Sequence, residues 1–521
     1  MKFMKRILAM AITVSTAAAL CSCKASPSDF TFEGQLVPSQ DYGYKVGDTL
    51  TEAFKAPDEN NPLSSDIFFA DPTSVEYDGR LYIYGTNDSQ EFDKKTGFGS
   101  NSYGGINTLA CYSTDDMSNF RYEGTIPVCE IATWAGCSWA PSIVSREESD
   151  GKTHFYLYFA NSGANIGVLT STSPTGPWSD PVGGPLVYNE MEGLKDDPVV
   201  WCFDPGVCID DNGVGWIAFG GGKGEHQSGL MTGNCRIARL GKDMISIDSE
   251  IVKVPTYFHF EANELNFIGG KYVLTYCSNY EDRSVFPVTL GAAPQTCSMC
   301  YMVADDPLDA DSWKWGGEYL TNPNQHGYPF SNNHSHLQKY GDKYYLLYQN
   351  VSLLENMGKL STADGFRSIG IDLCEVDEAN AVISPSKMSD AGVEQIKDHS
   401  AFEITEAETV HTTAGLKYYT DEEGSLFVTS ISDGDWLEVT NVDFGSGANS
   451  FAARVRGRGI IEIRLDKPDA KPVGSIQFET GDEVLAISGA LDKTVSGTHD
   501  LYLVFGGSFV FDKWQFAYTE E

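Results

Sequence analysis

Basic residues are the scarcest feature of this sequence. The chain has 521 residues, with 36 Lys and Arg against 73 Asp and Glu, so its formal net charge is -37. Binding a nucleic acid requires clustered Lys and Arg, and an acidic polymer would be repelled by the surplus of carboxylates. The composition therefore excludes these two kinds of partner and leaves a neutral partner, such as a sugar polymer, open.

Long apolar runs are also missing, with one exception near the amino terminus. Basic residues precede an apolar run at residues 7–20, as in a secretory signal, and the run is too short for a membrane-spanning helix. Residues 20–23 read Leu-Cys-Ser-Cys, which resembles a bacterial lipobox. We predict a lipoprotein signal peptide and lipobox at 1–23, with lipid on Cys23; ordinary cleavage near Ser22 is the alternative. The protein is then exported and attached to the bacterial membrane through lipid only.

Ten cysteines follow this segment, and their spacing is irregular. An even number in an exported protein favours disulfides, but several lie in apolar runs where buried free thiols are equally expected. A single C-x-x-C at residues 297–300 has no second pair, so no zinc is predicted.

Helical periodicity is scarce, and a repeated β-pattern takes its place. Each copy has a polar motif, a short strand, a turn with Gly and an aromatic-rich strand. The copies begin about 60 to 70 residues apart, at Phe68, Ser138, Cys202, Phe260 and Asn332. Five such units predict an all-β fold with a five-bladed β-propeller over residues 61–395, in which the first strand of each blade lines a central channel.

The two ends of the chain differ from the repeats. From residue 400 to 521, alternating apolar residues with turns about every ten residues indicate a β-sandwich of the jelly-roll type. Residues 24–60 have little periodicity and are interpreted as a surface tether followed by a lead-in strand.

Three carboxylates occupy equivalent places in three repeats: Asp71 before Pro72, Asp204 before Pro205, and Glu261. Because the first strands of the blades converge on one axis, we expect these side chains to share one site. Carboxylates that share a site have their pKa values driven apart, which supplies one ionised base and one protonated acid.

The motifs FFADPTSVEYDG, SWAPS, CFDPGV, FEANELNFIGGKYVL and NNHSH, in this order, resemble glycoside hydrolase family 43 over residues 62–383. The resemblance implies hydrolysis of arabinose- or xylose-containing polysaccharides with inversion. It assigns Asp71 as the general base, Asp204 as the residue that tunes and orients the acid, and Glu261 as the general acid. An inverting pair needs room for water, so the base and acid carboxyls are expected about 6.5–9.5 Å apart.

Glu264 is a rival for the acid, because Ala262-Asn263 follows Glu261 where relatives often have Gly-Pro or Ala-Pro. On a regular strand Glu261 and Glu264 face opposite sides, so only one serves, and we favour Glu261.

Three further residues match substrate-binding positions of the family. Trp139 would stack on a sugar ring, with core packing as the alternative. His334 would hold water or calcium at the channel axis, with His336 on the same face of its strand. Arg367 would reach the pocket from the last blade, with a surface position as the alternative.

The segment 402–518 resembles carbohydrate-binding module family 6, which implies a structural calcium site at Glu406, Glu408 and Asp512. Two ligand-binding features of that family are replaced, near Glu483 and at Val510. We therefore expect this domain mainly to pack on the propeller.

Together these observations predict an inverting glycosidase, chiefly an α-L-arabinofuranosidase on arabinoxylan or arabinan. A β-D-xylosidase, an endo-arabinanase and a non-catalytic surface glycan-binding protein are the alternatives. The chemistry requires no cofactor, and a monomer is expected.

Overall fold

The computed structural model of this chain describes residues 29–33, 35–56, 58–430 and 432–520. The signal peptide, lipobox and lipidation site Cys23, predicted at 1–23, lie outside the described residues. In the part of the chain that is described, no helix is long and apolar enough to cross a membrane. Regular structure there is nearly all strand, so the predicted all-β class is confirmed.

The first two thirds of the chain form five antiparallel sheets, each built from strands that follow one another in sequence. Strand β1 (Leu36–Pro38) precedes them. The strands that follow are, region by region, β2 (Ala70–Tyr77), β3 (Arg80–Thr86), β4 (Gly99–Ser100), β5 (Leu109–Thr114) and β6 (Phe120–Ile126); β7 (Trp139–Glu147), β8 (Thr153–Asn161), β9 (Asn165–Ser171) and β10 (Val187–Tyr188); β11 (Gly206–Ile209), β12 (Gly215–Phe219), β13 (Arg236–Arg239) and β14 (Val252–Lys253); β15 (His259–Ile268), β16 (Lys271–Ser278), β17 (Met299–Ala304) and β18 (Lys314–Leu320); β19 (Ser335–Tyr340), β20 (Lys343–Asn350), β21 (Ala363–Asp364) and β22 (Ser368–Cys374).

Short elements connect these sheets. Helices α1 (Ser89–Lys94), α2 (Val128–Ile131) and α3 (Ser352–Asn356) lie in loops, and β23 (Val376–Asp377) pairs with β24 (Val382–Ile383). The parallel pair of β4 with β21 joins a loop of the first sheet to a loop of the fifth.

The five sheets close into a ring. Their first strands contact each other in the order β2, β7, β11, β15, β19 and back to β2. Five buried apolar clusters fill the spaces between neighbouring sheets. Each large apolar side chain buried there contributes about 1.5–3 kcal/mol, so the aromatic second strands hold the ring together. The predicted five-bladed propeller is confirmed.

Two-residue turns set the register of the first and fourth blades. Asp78 and Gly79, between β2 and β3, have φ of 51° and 75°, and Gly269 and Gly270, between β15 and β16, have φ of 58° and 79°. Two left-handed residues in succession form the type I′ turn, which matches the twist of a hairpin.

The rest of the chain is a β-sandwich with its own buried core around Trp514. Its longest strands, β32 and β35, pair from Ser450↔Ala517 to Leu465↔Leu501. The strands are β25 (His399–Ser400), β26 (Thr405–Glu406), β27 (Thr409–Val410), β28 (Thr412–Ala414), β29 (Lys417–Thr420), β30 (Leu426–Ser430), β31 (Trp436–Asp443), β32 (Ala448–Leu465), β33 (Gly474–Glu479), β34 (Leu485–Val495) and β35 (Thr498–Ala517).

Both predicted domain boundaries are crossed by strand pairing. Strand β27, which belongs by sequence to the sandwich, pairs with β6 as a fifth strand of the first blade. Strand β1, from the segment expected to be a tether and lead-in, pairs in parallel with β34 of the sandwich. Thr440 also donates two hydrogen bonds across the interface, from its N–H to Asn119 Oδ1 and from its hydroxyl to Gln395 Oε1. The sandwich is therefore docked on the propeller, as expected.

Candidate active site

The site lies where the inner strands begin, and backbone irregularities there turn the side chains inward. Asp71, Ala140, Asp204 and Ala262 stand at equivalent points of four blades, with φ of 51°, 38°, 47° and 63°. Left-handed residues other than Gly are uncommon. The ladders of β2, β7 and β15 also shift register at this level. Such bulges re-aim side chains next to active sites.

These side chains enclose a pocket at the channel mouth. The cavity of about 150 Å³ is lined by Asp71, Tyr103, Trp139, Ala140, Phe203, Asp204, Glu261, Asn332, Asn333, His334 and Arg367. Pockets for drug-sized ligands hold roughly 300–1,000 Å³, so this space suits one sugar unit. The structure thus brings together all six residues predicted for catalysis and substrate binding. Tyr103 and Phe203 were not among the predicted residues.

Asp71 is buried among hydrogen-bond donors. Arg367 Nη1 donates to Asp71 Oδ1 over 2.8 Å, the Thr86 hydroxyl donates to Oδ2 over 2.7 Å, and His334 Nδ1 lies 3.2 Å from Oδ1. Burial raises the pKa of this carboxyl, but Arg367, His334 and Thr86 together outweigh burial and hold the pKa well below its usual range. Asp71 is therefore ionised at neutral pH.

Arg367 is held in place by Asp88, which the sequence did not suggest. Its Nε and Nη2 donate to the two oxygens of Asp88 over 2.8 and 2.9 Å, and the guanidinium carbon lies 5.0 Å from the ring centroid of Tyr103. A bidentate pair fixes the plane of the guanidinium, which leaves Nη1 directed at Asp71. Asp88 follows the first hairpin, at the same end of the blade as Asp71, and this position in the sequence could have indicated that it lies near the site. Tyr103 lies in a loop whose sequence has no periodic pattern that could have indicated its place in the pocket.

Asp204 and Glu261 are neighbours, and the pKa of each is raised, in contrast to the pKa of Asp71. The Ala262 N–H donates to Asp204 Oδ2 over 2.7 Å. Burial, reinforced by Asp71, raises the pKa of Asp204 to about 6, against the opposing effect of His334. Burial, followed by the charge of Asp204, raises the pKa of Glu261 well above its usual value. The pocket thus combines a carboxyl whose pKa is lowered, Asp71, with one whose pKa is raised, Glu261, as a base and an acid require.

Glu264 lies deeper in the channel. Its Oε1 is 2.8 Å from His336 Nδ1, and the Ser74 N–H donates to His336 Nε2 over 3.2 Å. The expectation that Glu261 and Glu264 face opposite sides differs from the structure, because the bulge between them adds a residue to β15. Both carboxyls therefore point to the channel, but only Glu261 reaches the pocket.

His334 and Trp139 line the pocket through specific contacts. Burial lowers the pKa of His334, but the hydrogen bond and charge of Asp71 outweigh it and the net shift is upward. The positive charge of Arg367, which shares Asp71 Oδ1 with His334, gives no support to the calcium ion predicted nearby. Trp139 is half-buried, and its Nε1 donates to the Tyr103 carbonyl over 3.0 Å.

The three carboxylates predicted to bind calcium in the sandwich are partly neutralised by cations. Glu406 Oε1 lies 3.4 Å from Lys513 Nζ, and Asp512 Oδ2 lies 3.3 Å from Arg454 Nη1. Glu408 is buried, and its Oε1 has no hydrogen-bond partner. Over residues 29–520, as far as they are described, no group of three or more His, Cys, Asp or Glu side chains is arranged to hold a metal ion. Apart from this Glu408 oxygen, the described residues give the calcium prediction no support.

A ridge of aromatic side chains extends from the pocket wall to the surface. We call Trp201, Phe260, Tyr280 and Phe330 the aromatic ridge. Trp201 contacts Phe203 in the pocket, and ring centroids along the ridge are 5.3, 5.5 and 6.4 Å apart. Tyr280 and Phe330 are each 52% exposed, so the outer half of the ridge is open to a ligand.

Comparison with known proteins places this architecture in a family. The model for glycosyl hydrolases family 43 matches residues 59–378, more than half of the chain. The chain belongs to glycoside hydrolase family 43. Residues 406–518 match carbohydrate binding module family 6. Both resemblances drawn from the motifs are confirmed, and the protein is a glycoside hydrolase, whose family needs no cofactor for its chemistry.

Three matches to known proteins each cover about nine-tenths of the chain. An arabinoxylan arabinofuranohydrolase of Bacillus subtilis (strain 168) is 36% identical over 90% of this chain and 94% of its own length. One of Paenibacillus polymyxa is 33% identical over 89% and 75%. A crystal structure of a family 43 arabinoxylan arabinofuranohydrolase from Bacillus subtilis, in complex with cellotetraose, superposes with a TM-score of 0.82 at 33% identity, over 91% of this chain and 99% of that one.

Proposed function

We propose that this family 43 enzyme is an inverting α-L-arabinofuranosidase that removes arabinofuranosyl side groups from arabinoxylan. The observation that carries the proposal is a pocket for one sugar unit in which Arg367, His334 and Thr86 hold the pKa of Asp71 low despite its burial, while burial raises the pKa of Glu261. The names of the relatives that match both domains support the substrate.

Asp71 is the general base in this proposal. As a carboxylate it takes a proton from a water molecule, which attacks the anomeric carbon on the face opposite the leaving oxygen. Arg367 and His334 keep Asp71 ionised and oriented. Because they also stabilise the charge, Asp71 is a base of modest strength that depends on its position close to the water.

Glu261 is the general acid in this proposal, and Asp204 helps to keep its pKa raised. Glu261 delivers its proton to the glycosidic oxygen as the bond to the sugar breaks, and the product has the opposite anomeric configuration. The charge of Asp204 raises the pKa of Glu261. The proton that Asp71 gains and the proton that Glu261 loses are exchanged with solvent before the next turnover.

The pocket and the aromatic ridge would bind different parts of the substrate. A pocket of about 150 Å³ takes the terminal arabinofuranosyl unit. The xylan main chain would lie along the exposed ring faces of Tyr280 and Phe330, where sugar rings stack on aromatic side chains. This arrangement supports the release of single side groups rather than cleavage within a chain.

The test is product analysis on three substrates: arabinoxylan, an aryl α-L-arabinofuranoside and an aryl β-D-xyloside. We expect arabinose from the first two and little xylose from the third. Release of xylose as the main product would replace the proposal with a β-xylosidase, and release of arabino-oligosaccharides from linear arabinan would replace it with an endo-arabinanase.

Export, lipid attachment and a monomeric state complete the proposal. The support for export and lipid attachment is the charged and apolar segment at 1–20 and the lipobox-like residues that end at Cys23. Metabolic labelling with a radioactive fatty acid is expected to label the protein but not its Cys23→Ala variant, and gel filtration is expected to give the mass of one chain. Label on the variant would contradict lipidation at Cys23.

Calcium in the sandwich has one supporting observation, the buried Glu408 Oε1 that lacks a hydrogen bond. Lys513 and Arg454 already neutralise the flanking carboxylates. We assign calcium no part in catalysis.

A further inference from the structure

Two cysteine side chains touch each other beside the pocket. All ten cysteines from Cys111 to Cys374 are unpaired in the structure, but Cys277 Sγ lies 3.7 Å from Cys297 Sγ. Cys277 is the partner of the catalytic Glu261 in the register of β15 with β16. Cys297 lies just before β17, in a left-handed conformation with φ of 51°. The two sulfurs are therefore in van der Waals contact directly behind the acid.

The two cysteines stand at the two ends of one loop. This loop, residues 278–296, connects β16 to β17 on the face of the propeller that holds the pocket. It carries Tyr280 of the aromatic ridge, whose hydroxyl donates to Cys297 Sγ over 3.3 Å. Arg283 braces the loop from inside, because its Nε donates to the Pro294 carbonyl over 2.9 Å. The cysteine pair thus closes the base of a loop that would contact substrate.

We propose that Cys277 and Cys297 are an oxidation site, and that the exported enzyme carries a disulfide between them. A disulfide has its sulfurs about 2.05 Å apart, and two sulfurs already in contact need only small side-chain rotations to reach that distance. The expectation of oxidising surroundings rests on the export proposed above. The site itself rests on geometry and is independent of the enzyme's substrate.

The chemistry is thiol–disulfide exchange with a disulfide-bearing oxidant, either a small disulfide or an oxidoreductase. The thiolate of one of the two cysteines attacks one sulfur of the oxidant, forms a mixed disulfide and releases one thiolate. The thiol of the other cysteine then loses its proton, attacks the protein sulfur of the mixed disulfide and releases the second thiolate. The two cysteines lose two electrons and two protons in all, and the oxidant is reduced to two thiols.

Hydrogen bonding distinguishes the two thiols once the loop has docked. The thiol of Cys277 donates to it, and this bond, with the bond from Tyr280, lowers the pKa of Cys297 despite burial. Burial keeps both sulfurs from reagents in the folded protein, so the exchange belongs to folding, before the loop docks. Closing a loop of this length restricts the unfolded chain and stabilises the fold. It also fixes the position of Tyr280.

Non-reducing peptide mapping tests the site without reference to activity. The full chain is refolded with reduced and oxidised glutathione, alkylated and digested with trypsin. Cleavage after Lys271, Arg283 and Lys314 places Cys277 in peptide 272–283 and Cys297 with Cys300 in peptide 284–314. We expect these two peptides to be joined and to be two hydrogens lighter than their sum, with fragmentation placing the bond at Cys297.

Serine variants supply matched controls. Cys277→Ser and Cys297→Ser are each expected to abolish the joined peptide and to lower the Tm of the oxidised protein. Cys300→Ser removes an equally buried thiol and is expected to leave the joined peptide intact. Recovery of peptide 272–283 alone, with Cys277 alkylated, would overturn the proposal in the wild-type protein, whether or not the variants fold. A bond between Cys297 and Cys300 would also overturn it. Either result would leave the proposed arabinofuranosidase activity untouched.

Discussion

Two clusters of three carboxylates, one in each domain, show what makes acidic residues catalytic. In the propeller, Asp71, Asp204 and Glu261 surround a cavity, and cations reach only one of them. In the sandwich, two of the three acids, Glu406 and Asp512, each have their own cation, and burial raises the pKa of the third, Glu408, to about 8. The pKa values therefore diverge in both clusters, but it is the propeller carboxylates that line the pocket for a sugar unit. Position around a cavity, rather than the number of acids, therefore determines chemistry.

The largest effect is expected from removing the base. Asp71→Asn keeps the shape of the side chain but cannot accept a proton from water, so kcat on arabinoxylan should fall by about 10²–10⁴-fold. Glu406→Gln in the sandwich is the matched control and should leave kcat unchanged. Steady-state kinetics, with circular dichroism to verify folding, measure the difference. Equal losses in the two variants would remove the distinction between the clusters.

The next largest effect separates the acid from the base. Glu261→Gln should lose about 10²–10⁴-fold on arabinoxylan, whose leaving oxygen needs a proton, but much less on an aryl arabinofuranoside with an acidic phenol as leaving group. Comparison of kcat on the two substrates measures this. Glu264→Gln changes the carboxyl deeper in the channel and should not reproduce the pattern. A selective loss in Glu264→Gln instead would transfer the role of acid to that residue.

A smaller effect concerns the cation that holds Asp71 ionised. Arg367→Met removes the charge that most strongly lowers the pKa of Asp71, so that pKa rises toward its ordinary value. Activity requires an ionised Asp71, and the acidic limb of the pH profile of kcat/KM should therefore move to higher pH. Asp88→Asn, which only loosens Arg367, should move the limb less. An unchanged acidic limb in Arg367→Met would show that Asp71 is not the base.

The smallest effect is expected in the sandwich. Because Lys513 and Arg454 neutralise Glu406 and Asp512, treatment with a strong chelator should leave the Tm and the activity unchanged. Differential scanning calorimetry with chelator or with added calcium measures this. A Tm that falls with chelator and recovers with calcium would establish a calcium site at Glu408 after all.

Much of this comparison was predictable from the sequence. Repeats about 60 to 70 residues apart predicted five blades, and equivalent positions within the repeats singled out Asp71, Asp204 and Glu261. Local patterns suffice here, because a hairpin and its turn are encoded within some twenty residues, and the ring then brings equal positions together.

The remaining features depend on contacts that no local pattern encodes. Asp88 and Arg367 are 279 residues apart in sequence, and their pairing follows only from the closed ring. The bulge between Glu261 and Glu264 puts both side chains on the same side of β15, whereas regular alternation predicts opposite sides. The cations beside Glu406 and Asp512 come from the pairing of distant strands β26, β32 and β35.

The anomeric configuration of the first product tests the central claim most directly. Proton NMR during hydrolysis of arabinoxylan would follow the released arabinose before mutarotation. We predict that the β-anomer appears first, because water activated by Asp71 attacks opposite the α-linkage while Glu261 protonates the leaving oxygen. Appearance of the α-anomer first would contradict the assignment of Asp71 as base and Glu261 as acid.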